Sequence, residues 1–568
     1  MRAAHTLDGS DVDVITQEIV RSALGSIADE MALTVIRTAH SQVVRDTMDF
    51  ATALFGPAGE LLAQGLTLPF HLGAMPDAMD GVLEKFGEDI HPGDVFMFND
   101  PDSGGMHLPD IFLFAPIFAG VNLVGFTGVT AHQADIGGRV PGGNAADSTE
   151  IFQEGLQLPL IKLFDRGVEN EAIMEIIRLN VRVPDLVAGD IRAQLAAAHT
   201  GAIRFLELIE RYGMETLSRY TEAILDSTEA YVRSEISAMP DGAYNFTDYL
   251  DSDGFGSGPL AIAASLTVAG DEITVDFSGS AAQVPSALNA TLSIVKAAVY
   301  TALMAVMDTS TGLACNAGFI RAIHVRAPVG SLLNGRRPAA RAARGVTAYR
   351  VVDAVLGALH QVVPECVPAG GDGGVTVVTF GATDESGRSA VLVDTPVAGW
   401  GGRPDKDGID GISSLAANMA NTPIEVMEAD FPIRIEEYGF VPDTGGAGKY
   451  RGCVSVVRQY RFLADTGILQ IRADRRERVP YGLNGGDPGT PSDAILNPGR
   501  NEEQLPSKIT RTIKRDDVVR IVVAGGGGHG NPSERSGAAI RRDLESGLLT
   551  EEHARSVYGP ALEQGELT

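Results

Sequence analysis

At 568 residues the chain is longer than one hydrophobic core organises, and about three domains are expected. An apolar content of 44% with 21% charged residues excludes a disordered chain. A net charge of −29 argues against nucleic acid and anionic membranes as partners, and no apolar run reaches the length of a membrane span.

In chain order, the first predicted element is a long helix from Asp13 to His40, where Ile15, Ile19, Ala23, Ile27, Met31 and Val35 recur at three- and four-residue steps. A hairpin follows, with strands over 51–55 and 60–64, a turn at 56–59, and Asp49 at its open end. Residues 69–76 (PFHLGAMP) lead into a helix over 77–86. Two apolar runs, 111–118 and 123–130, flank a turn at 119–122 and predict a second hairpin. Helical patterns cover 169–212, broken at Pro184, and 216–239, ended by Pro240. A β-rich segment opens at Asp241, with strands over 260–268 and 272–277. Buried helices are expected over 287–308 and 348–360, the second after a glycine- and arginine-rich approach, and strands over 375–380 and 390–394. From Pro432 to Ala524 the pattern is strand and turn, clearest over 450–462, and the tail from Ser533 to Thr568 reads as helix. The expectation is a mixed α/β (α+β) chain of several domains. These are a metal-binding α/β domain with long helices over 1–240, a mixed α/β middle domain over 241–431, and a β-rich domain with a helical tail over 432–568.

The second hairpin carries the most informative stretch: residues 99–110 (NDPDSGGMHLPD) before its first strand and 131–138 (AHQADIGG) at the end of its second. Antiparallel pairing about 119–122 sets residue 110 nearly opposite residue 132, and cross-strand neighbours have Cβ atoms about 4.5–5.5 Å apart. Asp110 and His132 therefore converge, and His107 reaches the same end from a short loop. Imidazoles and carboxylates gathered at a strand end make a divalent metal site. The plainer alternative is that Asp and His serve as turn residues, as single ones in loops more often do. The buried strands on both sides favour a preorganised site.

Other motifs fall short. Residues 524–532 (AGGGGHGNP) follow a strand like a phosphate loop, but lack the Lys and Ser or Thr that reach phosphates and metal. They read as a close-packed turn, with anion contact through backbone N–H groups as the lesser reading. No dinucleotide fingerprint lies between a strand and a helix, so in any ATP-coupled chemistry the nucleotide binds elsewhere. Cys315, Cys366 and Cys453 are too scattered for a disulfide framework or a metal motif, which suits a reducing cytoplasm, and Cys315 and Cys366 read as core residues. The first residues lack the apolar core of a signal peptide, so a cytoplasmic location is expected. Trp400, the single tryptophan, is a packing residue or a substrate platform.

The segments 69–76, 99–110 and 131–138 resemble those of the hydantoinase B/5-oxoprolinase B family, which also holds the corresponding subunits of acetone and acetophenone carboxylases. So do 150–156 (EIFQEGL), 190–194 (DIRAQ), 275–279 (VDFSG) and 525–532, and the resemblance spans nearly the whole chain. It implies one subunit of an ATP-dependent hydrolase of cyclic amides: hydantoin, N-methylhydantoin, 5-oxoproline or another lactam. It implies a hetero-oligomer in which a hydantoinase A-type subunit, of actin and sugar-kinase fold, binds the ATP. It implies a divalent ion (Zn, Mn or Fe) held by Asp49, His107, Asp110 and His132, with Asp110, His132 and His71 serving catalysis. Residues 45–48 depart from a more strongly charged run usual before that Asp. The alternatives are a ketone carboxylase subunit, which the modest chain length disfavours, and a non-catalytic scaffold, which has no need for convergent ligands.

Several neighbours keep two readings. His71 is a ligand partner or substrate contact, or a buried structural histidine. Asp135 orients His132 through its second ring nitrogen, or caps a turn. Glu154 is a substrate contact or a surface carboxylate. Asn99, Asp100 and Asp102 read first as turn residues.

Overall fold

The computed structural model describes residues 13–308, 315–374, 376–383 and 387–564. Helix α1 (Val14–Thr38) starts where Asp13 accepts the amides of Ile15 and Thr16, and α2 (Gln42–Arg45) adds one turn. Strands β1 (Phe50–Phe55), β2 (Leu61–Gln64), β3 (Val95–Phe98), β4 (Asp110–Ala119), β5 (Asn122–His132), β6 (Ile161–Asp165) and β7 (Val168–Glu169) form one sheet in the order β2-β1-β5-β4-β3-β6-β7. Every neighbouring pair in it is antiparallel.

Helices cover both faces of this sheet. Helix α3 (Pro69–Phe86) packs Ala74, Ala78 and Val82 into the cluster that holds Phe55, Phe112, Phe114 and Phe126. On the other face α1, α5 (Pro184–Tyr212) and α6 (Met214–Ser237) bury Leu54, Val129 and Ala131, while α4 (Glu171–Asn180) closes the end nearest β6. A sheet buried on both sides needs apolar residues at every position, which is why its strands read as continuous runs rather than alternating ones.

A four-stranded sheet follows: β8 (Gly242–Leu250), β9 (Leu260–Ala269), β10 (Glu272–Asp276) and β11 (Ile323–Arg326), with β10 and β11 parallel. Helices α7 (Leu292–Val306), α8 (Ala317–Ile320) and α9 (Arg344–Leu359) lie between it and the first sheet, and α9 is buried along its full length. Two more sheets enclose a third apolar cluster. One is β13-β12-β16-β19, from β12 (Val377–Thr383), β13 (Ser389–Asp394), β16 (Thr466–Arg472) and β19 (Lys508–Lys514). The other is β14-β15-β20-β17-β18, from β14 (Ile433–Val441), β15 (Ser455–Phe462), β17 (Asp493–Leu496), β18 (Glu503–Gln504) and β20 (Val518–Val522). Helix α10 (Ile424–Asp430) precedes β14, and α11 (Gly537–Glu545) and α12 (Glu551–Gln564) end the described chain. The fold is mixed α/β, as expected, and no described helix is long and apolar enough to cross a membrane.

Several boundaries differ from expectation for identifiable reasons. Helix α3 begins at Pro69, not Asp77, so the PFHLGAMP segment is helical. Proline suits a first helical turn, where its missing N–H leaves no bond unmade, and only Pro76 interrupts the ladder. Helix α7 starts at Leu292, later than expected, because residues 287–291 form a turn and an irregular approach to it; α9 starts earlier, at Arg344. The strand read over 450–462 begins at Ser455. Cys366 is exposed rather than in the core. Val375, at the start of one expected strand, and residues 565–568 of the tail lie outside the described residues.

Candidate metal centre

The β4–β5 hairpin pairs Asp110 with His132, the register read from the short turn and the two apolar runs. The backbone amide of His132 then donates to the carbonyl of Asp49 at 3.0 Å, which fixes the entrance of β1 against the same strand end. Met48, just before Asp49, has φ +61, a left-handed conformation that costs a non-glycine residue about 1 kcal/mol. Such local strain persists where surrounding structure over-determines it, commonly at functional sites.

Three atoms converge at this point. His107 Nε2 lies 2.9 Å from Asp110 Oδ1 and 3.1 Å from His132 Nδ1, and His132 Nδ1 lies 3.0 Å from Asp110 Oδ1. His107, Asp110 and His132 are all buried and form a group that could hold a metal ion. Asp49 Oδ2 is 3.9 Å from His132 Nδ1, and His71 Nε2, in the first turn of α3, is 3.9 Å from Asp49 Oδ1 and 4.0 Å from Asp110 Oδ2. All five residues singled out in the sequence therefore gather at one place.

The protonation states favour ligation. His107 Nδ1 faces the carbonyl of Ala342 at 3.1 Å, which assigns the proton to Nδ1 and leaves Nε2 bare toward Asp110. Burial, reinforced by Arg344, pushes the His107 imidazolium pKa well below its ordinary value, so the ring is neutral. Burial opposes ionisation of Asp110, yet the Arg344 guanidinium helps hold its carboxyl well below the usual range; Arg344 Nη2 donates to Asp110 Oδ2 at 2.7 Å. A cation at that point engages all three atoms. His71 is fully buried, with neither ring nitrogen hydrogen-bonded, and burial lowers its pKa.

The neighbours sort differently from expectation. Asp135 does not reach His132: it accepts the amides of Gly137, Gly142 and Arg182 and pairs with the Arg182 guanidinium, so its role is the turn. Asn144 Nδ2 instead lies 3.2 Å from His132 Nε2. Glu154 is neither surface residue nor cavity wall. It is buried, and its Oε1 accepts the amides of both Arg341 and Ala342 at 2.7 Å. Burial raises its carboxyl pKa to about 8. Asn99 ties Leu108, Leu156 and Leu158 together, and Asp100 and Asp102 pair with Arg337. The glycine run 525–528 donates its amides to Thr490, Cys453, Gly370 and Asp487, so none is left to cradle a phosphate.

Sequence reasoning missed the segment 341–345 and Arg472. Ala342 offers its carbonyl to both His107 and Arg472 Nη1, and Arg344 pairs with Asp110. The only signal was the unusual arginine density before α9, which named no partner. With Asp49 and His132, these residues border a small cavity with about 40 Å³ of free space. Val43, Leu68, Phe70, Val346, Val393 and Met419 form its apolar wall, with Thr47, Thr395 and Tyr349 as further polar groups.

Comparison with known proteins adds to this geometry. Residues 13–532 match the family model described as Hydantoinase B/oxoprolinase. The chain is 35% identical to a candidate B-type component of a D-/L-hydantoinase from Pseudomonas sp. (strain NS671), over 100% of this chain and 98% of that one. It is 29% identical to 5-oxoprolinase 1 of Arabidopsis thaliana, over 91% of this chain but 42% of that larger protein. Its structure superposes on the crystal structure of the ATP-dependent caprolactamase from Pseudomonas jessenii with a TM-score of 0.91, at 30% identity and 98% coverage of both chains.

Proposed function

The chain belongs to the hydantoinase B/oxoprolinase family, and on that premise we propose that it is the metal-dependent, ring-opening subunit of an ATP-dependent cyclic amide hydrolase. The observation that carries the reading is the convergence of His107 Nε2, Asp110 Oδ1 and His132 Nδ1 within 3.1 Å of one another, beside a small cavity with an apolar wall. Asp49 completes the ligand set from the adjoining strand entrance. Two imidazoles with two carboxylates suit Zn, Mn or Fe. Such an ion lowers the pKa of water and polarises a carbonyl.

The chain's own residues supply the rest. Asp110 is kept ionised and held by Arg344, so it does not leave the ligand set to take a proton. His71, neutral and without a hydrogen-bond partner, is placed to accept the proton of the attacking water, with Asp49 and Asp110 near enough to stabilise its charged form. His107 is locked in orientation by the Ala342 carbonyl, which accepts its Nδ1–H. The apolar wall excludes bulk water and accepts the ring methylenes. With a phosphoryl group from ATP on the amide oxygen, water adds to the amide carbon, the ring C–N bond breaks with the nitrogen leaving as an amine, and a second water releases phosphate from the resulting acyl phosphate.

ATP cleavage, which makes opening effectively irreversible, falls to an A-type partner. Two findings support that division: the similar hydantoinase chain is named as one component of its enzyme, and the match covers 42% of the larger 5-oxoprolinase. The test is reconstitution. The isolated chain is expected to neither bind ATP by calorimetry nor open a lactam, and the complex with an A-type subunit to open hydantoin, 5-oxoproline or caprolactam with stoichiometric ADP release. Stoichiometric ATP binding by the isolated chain contradicts the reading, as does a complex that consumes no lactam.

A further inference from the structure

The cavity beside the candidate metal centre has a wall that the ring-opening chemistry described above does not use. Arg344 and Arg472 both border it and are 7% and 9% exposed. Each has an Nε that is buried without a hydrogen-bond partner. Arg344 is the first residue of α9, a 16-residue helix, so the helix N-terminus opens on the same cavity. First-turn amides have no partner within their own helix. Those of Arg344 and Val346 find the carbonyls of Arg341 and Ala343, whereas that of Gly345 meets no backbone carbonyl among the described residues. Gly345 borders the cavity, and a Cβ added to it meets nothing within 4 Å, so a side chain there has open space.

Charge balance points the same way. Asp49 and Asp110 offset the two guanidinium groups. A divalent cation among His107, Asp110 and His132 then leaves two positive charges in a mostly buried site, and buried charges persist only when paired. Helix N-termini with free amides and arginine forks are the groups that recognise oxyanions.

We infer that Arg344, Arg472 and the Gly345 amide form an oxyanion cradle in this cavity, which holds the charged group of the ring-opening substrate. The inference rests on the function proposed above. Two sources present that chemistry: the phosphoryl group that ATP cleavage places on the amide oxygen, and a carboxylate carried by the ring. The cradle is assigned to the phosphoryl group, because two guanidiniums and an amide match a tetrahedral dianion better than a single carboxylate.

The experiment is calorimetric titration of the Mn²⁺-loaded full-length chain with inorganic phosphate and, separately, with acetate, with metal content read on the same samples. One phosphate per chain is expected, bound at least tenfold more tightly than acetate. Gly345→Val, which points a side chain into the open space, is expected to weaken phosphate at least tenfold while metal content stays at wild type. Arg472→Met is expected to weaken it by as much. Acetate binding ahead of phosphate overturns the phosphoryl assignment and gives the cradle to a ring carboxylate. No binding of either anion, or wild-type phosphate binding by Gly345→Val, overturns the cradle itself. A complex that opens a lactam while its chain binds no anion defeats the cradle alone; a chain that binds phosphate in a complex that opens no lactam defeats the proposed function alone.

Discussion

Glu154 holds the backbone of Arg341 and Ala342 with one carboxyl oxygen while its other oxygen is buried without a partner. Through that backbone it positions the carbonyl that orients His107. Because burial raises its pKa to about 8 from 4.5, the folded protein keeps a proton there that the unfolded chain releases. The stabilisation from that proton is fully present below pH 4.5 and is lost as pH rises through about 8, at up to about 1.4 kcal/mol per pH unit. Glu154→Gln keeps an accepting oxygen and cannot ionise. Urea denaturation from pH 4.5 to 8 is therefore expected to show wild type losing stability relative to Glu154→Gln, and parallel curves for the two proteins contradict the assignment. His107, Asp110 and His132 were legible in the sequence because one short turn fixes their register. The pattern placed Asp49 at a strand entrance, but its part in the site, like that of His71, came only through the family resemblance. Glu154, Arg344 and Arg472 were not legible, since their partners lie 187, 234 and 130 residues away in the chain.

Among the elements, the C-terminal glycine run shows how a local motif misleads. Gly525–Gly528 look permissive for phosphate, yet a Cβ at Gly525, Gly527 or Gly528 lies 2.0 to 2.1 Å from the carbonyl oxygens of Thr444, Tyr481 or Ala447. These glycines exist for backbone-on-backbone packing, with their amides bonded across the layer. Gly527→Ala is expected to destabilise the fold by about 3 kcal/mol or more, since rigid backbone cannot yield as a side chain can. Gly439→Ala in β14, whose Cβ meets nothing within 4 Å, is expected to change stability by no more than about 0.5 kcal/mol. Equal unfolding midpoints for the two variants in guanidinium chloride contradict this account of the layer. The β4–β5 hairpin is the opposite case, where apolar runs and a turn were enough to place every pair that matters. Helix α3 lies between them: its apolar face was readable, but its two prolines hid a first turn that brings His71 into the site.

For the molecule as a whole, the site is a product of closure rather than of any one segment. Asp49 comes from the entrance of β1, His107 and Asp110 from the start of β4, His132 from the end of β5, Arg344 from the start of α9 and Arg472 from the end of β16. The sequence alone yielded a mixed α/β class and the long helices, because periodicity is local, whereas the meeting of β16 with the β4–β5 hairpin depends on how the sheets pack. A site assembled from so many elements and dominated by buried charge is stable only when its ligand set is complete, which makes the cation the centre of the account. Asp110→Asn is a poor probe of it, since loss of that carboxylate also strands the buried Arg344 charge, a change that costs about 3–5 kcal/mol. Asp49→Asn and His132→Gln leave that ion pair intact. The direct measurement is elemental analysis of purified wild type beside these two variants, with lactam turnover followed in the reconstituted complex. About one divalent ion per chain in wild type is expected, with metal reduced sharply and turnover reduced by orders of magnitude in both variants; a metal-free wild-type protein that opens its lactam at full rate contradicts the account.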